Sequence, residues 1–159
     1  METIQDCINW DKHLELGIPF IDRQHKNLVR VINNLSLACL HSPETANHHF
    51  MNTAFDAVDS IHHHYRTDEK LMLLLEYQGY AQHRKEHDRF IEAVFSHSEN
   101  SDGSRRIIPI QFVNFLKDWI LSHITVKDQE FINYILELKQ YGKLEAILSR
   151  RPEYAPLSA

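Results

Sequence analysis

His62-His63-His64-Tyr65-Arg66-Thr67-Asp68-Glu69-Lys70-Leu71-Met72, with His83-Arg84-Lys85-Glu86-His87 close behind, decides how the rest of this chain is read. In an α-helix, residues four apart lie about 40° apart around the axis and so share a face. His64 and Asp68 therefore point the same way on one helix, and His83 and His87 do so on the next. An imidazole stacked over a carboxylate, facing two stacked imidazoles, outlines a metal site. Neutral imidazole and carboxylate together suit iron, zinc or manganese, and the oxygen ligands pull toward the harder ions.

The bulk composition is that of a soluble globular domain. The chain has 159 residues, 43% of them hydrophobic and 25% charged, enough to bury a core. Seventeen basic and 22 acidic residues leave a net charge of −5, which argues against a nucleic-acid or anionic-membrane surface. Four glycines and five prolines are too few for many tight turns, so helices are favoured. Twelve histidines are well above ordinary usage. Cys7 and Cys39 are too few and too far apart for a disulfide framework or a Cys-x-x-Cys metal site. The acidic segment 1–6 lacks an apolar run, and no stretch has the length and apolarity of a membrane span. A cytoplasmic, reduced protein is the expectation, monomeric or weakly self-associating.

Hydrophobic periodicity divides the chain into four long helices. Residues 1–21 read as an ordered arm, with Gly17 and Pro19 interrupting any helical run. Asp22 is placed as the N-cap of a first helix over about 22–40, with His25 one turn before Leu28 and Val29 and facing inward. A second helix is expected over about 46–76, with Phe50, Phe55, Val58, Ile61, Leu71 and Leu75 on its apolar face and Gly79 closing it off. The third spans about 80–97 and the fourth runs from Pro109 to about 140. A short helix over 143–150 and a frayed tail over 151–156 complete the chain. The expected architecture is all-α, an up-down-up-down four-helix bundle over 1–142 with an N-terminal arm and a C-terminal extension over 143–159.

Seven residues can face the interior of such a bundle: His25, His64, Asp68, His83, His87, His123 and Asp128. The last two are five apart, about 140° around an α-helix, so their spacing alone does not indicate a shared site. His41, His48, His49, His62, His63 and His97 fall outside the pattern and read as surface residues.

Taken with their order along the chain, these segments closely resemble the hemerythrin family, in its single-domain bacterial form, over nearly all of 8–135. The resemblance is carried by Trp10 and Gly17-Ile18-Pro19-Phe20-Ile21-Asp22-Arg23-Gln24-His25, by His64-Tyr65-Arg66-Thr67-Asp68-Glu69-Lys70-Leu71-Met72, by Tyr77-Gln78-Gly79-Tyr80 before His83 and His87, and by Trp119-Ile120-Leu121-Ser122-His123-Ile124 with Asp128. It implies two iron ions, one held by His25 and His64, the other by His83, His87 and His123. Asp68, Asp128 and an oxo or hydroxo group would bridge them. If each iron is six-coordinate, these groups fill every position but one, on the iron with two histidines, where O2 would bind reversibly. Leu28, Tyr65, Trp119, Ile120 and Ile124 would wall that pocket. No nucleophile or acid–base pair is dedicated to a substrate, so the expected role is oxygen storage, delivery or sensing rather than catalysis.

Two positions depart from the family pattern. Asp68 stands where glutamate is usual and is one methylene shorter, so a bridge needs a closer helix or one longer bond; the alternatives are monodentate binding, a water in the gap, or Glu69 brought in by a local helix irregularity. Tyr65 stands where phenylalanine is usual. The two changes leave open a redox enzyme acting on O2, peroxide or nitric oxide, and a zinc or mixed-metal module is a further alternative.

Overall fold

The structure, a computed structural model, describes residues 7–41, 47–98 and 107–158. Its helices are α1 (Pro19–His41), α2 (His48–Leu74), α3 (Tyr80–Ser98), α4 (Pro109–Ser122), α5 (Gln129–Gln140) and α6 (Lys143–Leu148). A π-helical segment, His123–Asp128, joins α4 to α5, and a 3-10 turn, Pro152–Leu157, closes the described chain. No strand occurs among the described residues.

The long helices form because their apolar residues recur at alternating spacings of three and four. Ile21, His25, Leu28, Ile32, Leu35 and Cys39 make one buried stripe along α1. Phe50, Ala54, Ala57, Ile61, His64, Asp68 and Leu71 make another along α2. The polar residues His25, His64 and Asp68 thus occupy positions the pattern reserves for the core. α1 packs against α2 and α4, and α3 packs against the same two, which closes a helical bundle around those stripes. Asn47 starts α2 by accepting the Phe50 N–H at 2.8 Å, and Pro109 sits in the first turn of α4, where its missing N–H costs nothing.

Several boundaries differ from those the sequence suggests. α1 starts at Pro19, so Asp22 is not its N-cap. Its carboxylate instead accepts the N–H groups of Leu16 (2.8 Å) and Gly17 (3.1 Å), tying the arm to the helix. Farther out, Asn33 clamps the arm by accepting the Ile8 N–H and donating to the Ile8 carbonyl, both at 2.9 Å. After α2 the left-handed residue is Glu76 (φ 54°), not Gly79. Gly79 is needed for space, because a Cβ there would lie 2.5 Å from the Tyr77 ring. That ring packs on Phe131 and Tyr134. Phe55, expected on the inner face of α2, is exposed.

At the other end, 151–156 is not a frayed tail. The 3-10 turn there packs on α1 and buries Leu157 completely, beside the buried Leu144 and Leu148 of α6. None of the described helices is long and apolar enough to cross a membrane.

Candidate metal centre

All seven polar residues placed inside by the sequence converge at the middle of the bundle, each buried. The fourth-helix pair does so because the helix changes type. In a π-helix the backbone bonds run i→i+5, so residues five apart stack as residues four apart do in an α-helix. His123 and Asp128 are the first and last residues of the π segment, and His123 Nε2 lies 3.1 Å from Asp128 Oδ1. The irregularity falls here and not beside Glu69, where α2 is regular.

Asp128 divides the imidazoles into two sets. Its Oδ2 is 3.0 Å from His25 Nε2 and 3.2 Å from His64 Nε2. Its Oδ1 is 3.2 Å from His83 Nε2 and 3.1 Å from His123 Nε2. His87 Nε2 joins the second set at 3.2 Å from His123 Nε2. Asp68 Oδ2 is 3.3 Å from His64 Nε2. Two groups can each gather ligand atoms within 4.8 Å of one another: Asp68, His83, His87 and His123, and His64, Asp68, His123 and Asp128. Asp68 belongs to both, despite its short side chain, and Glu69 to neither. His25 comes in through Asp128.

The outer nitrogens of two imidazoles are engaged away from this centre. His87 Nδ1 donates to Glu69 Oε1 at 2.9 Å, and His64 Nδ1 donates to Gln24 Oε1 at 3.2 Å. Such outer bonds hold the ring and the tautomer, leaving the Nε2 lone pair turned inward. Spacing did not single out Gln24, or Glu69 in this outer position, because each touches another residue's ring. The sequence signal for both is adjacency, Gln24 beside His25 and Glu69 beside Asp68. Replacing Glu69 with glutamine is expected to weaken metal binding by about 10- to 100-fold, read by competition with a chelator, because the amide offers a weaker partner to His87.

The electrostatics of these groups suit a cation. Burial, with His123 and His83 adding to it, pushes His87 down to about 2, so the ring is neutral and its lone pair free. Burial likewise lowers His123. Burial raises Asp68 well above the carboxylate range, His64 offsets part of this, and the neighbouring Asp128 carboxylate adds to it. Burial also pushes Asp128 upward, but His123, His25 and His64 outweigh it and hold it well below. His25 Nδ1 and Nε2, Asp68 Oδ1, His83 Nε2 and Asp128 Oδ1 have no hydrogen-bond partner. Buried polar atoms are rarely left so, and their clustering around Asp68 and Asp128 fits metal ions. The donor set, imidazoles and carboxylates with no thiolate, suits iron, zinc or manganese.

Around this centre Trp119 stacks on His123 (4.5 Å between ring centroids) and Tyr65 stacks on His87 (3.8 Å). Burial, then Asp128 and Asp68, raise the Tyr65 phenol, so it stays protonated. Leu28 lines a cleft of about 330 Å³ between α1 and α2 that reaches His64. Ile120 and Ile124 are fully buried. His41, His48, His49, His62 and His63 are exposed, whereas His97 is half-buried and stacks on Phe115 (4.2 Å).

Comparison with known proteins follows the same residues. The family described as "Hemerythrin HHE cation binding domain" matches residues 16–135. A hemerythrin-like protein of Naegleria gruberi is 23% identical over 129 residues, 81% of this chain and 94% of its own. A bacteriohemerythrin of Stenotrophomonas maltophilia is 25% identical over 135 residues, 84% and 86% of the two chains. One from Clostridium acetobutylicum is 26% identical over 133 residues, 78% and 98% of the two.

Proposed function

The chain belongs to the hemerythrin family, and on that premise we propose that it is a non-heme di-iron protein that binds O2 reversibly, for storage, delivery or sensing. The observation that carries this reading is the division of imidazoles by Asp128, whose two oxygens face His25 and His64 on one side and His83 and His123 on the other. In this reading the four long helices alternate in direction, so that each brings its ligands to the same level. His25 and His64 would hold one iron and His83, His87 and His123 the other, with Asp68 and Asp128 as carboxylate ligands between the two sets. Iron bound there would supply the redox chemistry. The chain's own residues orient the ligands through Gln24 and Glu69 and exclude water with Leu28, Tyr65, Trp119, Ile120 and Ile124.

Metal analysis of the protein as isolated tests this first. About two iron ions per chain are expected, and zinc in their place would leave a binding module without O2 chemistry.

Asp68 supports a second reading, a redox enzyme acting on O2, peroxide or nitric oxide, because a shorter bridge holds the two metal positions less evenly. Reverting Asp68 to glutamate and Tyr65 to phenylalanine is then expected to slow autoxidation of the oxygenated protein severalfold. Decay of its visible band at an unchanged rate would remove that role from both residues.

A further inference from the structure

Tyr65 is among the largest fully buried side chains, 1% exposed, and its hydroxyl has no hydrogen-bond partner. Leaving such a group unpaired costs about as much as a lost hydrogen bond. The ring cannot turn out to relieve it. It is stacked on His87 at 3.8 Å and held edge-on by Phe90 (5.6 Å) and Trp119 (5.4 Å). Asp68 and Asp128 lie close enough to act electrostatically on its oxygen, yet neither accepts its proton. The one donor on the ring is therefore held, unspent, among the imidazoles of the centre.

We infer that the Tyr65 hydroxyl is a specificity-determining hydrogen-bond donor for a small exogenous ligand of the metal centre, and that it selects ligands carrying negative charge. A neutral donor gains most from a charged acceptor, about twice what it gains from a neutral one. A small inorganic anion satisfies the hydroxyl, whereas an uncharged diatomic gains little from it. The ring also lies against three imidazoles of the centre, His87 (3.8 Å), His123 (5.4 Å) and His64 (6.1 Å), so an anion entering there meets a donor that attracts it.

This inference rests on the di-iron reading, and azide is the probe. The oxidised, iron-loaded protein and its Tyr65→Phe variant are titrated with azide, with binding followed by visible absorption and iron content measured in both. The dissociation constant is expected to rise about 10- to 100-fold in the variant, the value of one hydrogen bond to a charged group. The stretching vibration of bound azide is expected to shift between H2O and D2O in the parent protein only, a signature that a merely structural tyrosine would not give. In the metal-free protein, Tyr65→Phe is expected to melt no lower than the parent, since it removes an unpaired buried group. Equal azide affinity with no isotope shift, or a lower melting temperature in the metal-free variant, overturns the role of Tyr65 and leaves the di-iron reading standing. Failure of both iron-loaded proteins to take azide overturns the open site as well.

Discussion

Replacing Asp128 with alanine is expected to empty the whole centre, from about two metal ions per chain to well under one, as measured by metal analysis after loading and desalting. The reason is geometric. Each oxygen of this carboxylate faces a different set of imidazoles, His25 and His64 at one and His83 and His123 at the other. Removing it strips an anionic ligand from both positions and leaves neutral imidazoles with Asp68 alone to hold dications in a buried site. Replacing His25 touches one side only, so about one ion per chain is expected to remain. Retention of two ions by Asp128→Ala would show that the carboxylate is no bridge.

Stripping the metal is expected to lower the melting temperature by about 10 °C or more. Ligand at roughly 1,000 times its dissociation constant stabilises by about 4 kcal/mol, and about 1 kcal/mol moves a domain of this size by about 2–4 °C. The metal-free chain keeps two buried carboxylates side by side with orphaned acceptors, and the sign of their effect follows from their directions of shift. Asp68 is held above its ordinary range, so it costs stability as pH rises from that range through its folded value. Asp128 is held below, so its contribution is present above the ordinary range and lost as pH falls. Asp68→Asn removes the first cost. It is expected to raise the metal-free melting temperature, by more at neutral pH than near pH 4, while abolishing metal loading. Calorimetry at the two pH values checks both parts, and a variant less stable than the parent at neutral pH would contradict them.

How much of this was legible in the sequence depends on helix type. His64 with Asp68 and His83 with His87 are visible at once, because each pair is four apart on a regular α-helix and interrupts an apolar stripe. His123 and Asp128 are not, because five residues span one turn only after the backbone becomes π-helical. Hydrophobic periodicity carried the fourth run through 109–140 without showing that change. Asp22 looked like a cap because aspartate is common there, but Pro19 can open a helix itself, which frees the carboxylate for the arm. Gly79 looked like a helix end because glycine often is one, whereas its role is steric, under the Tyr77 ring. The packing of Leu157 on α1 is a long-range contact with no local signature.

The most direct test of reversible O2 binding exposes an iron-loaded, reduced sample to air and follows visible absorption for several minutes. A band that appears on mixing, persists and disappears under vacuum is the predicted result. A band that decays at once to the spectrum of the oxidised protein, and does not return on removing O2, would contradict it.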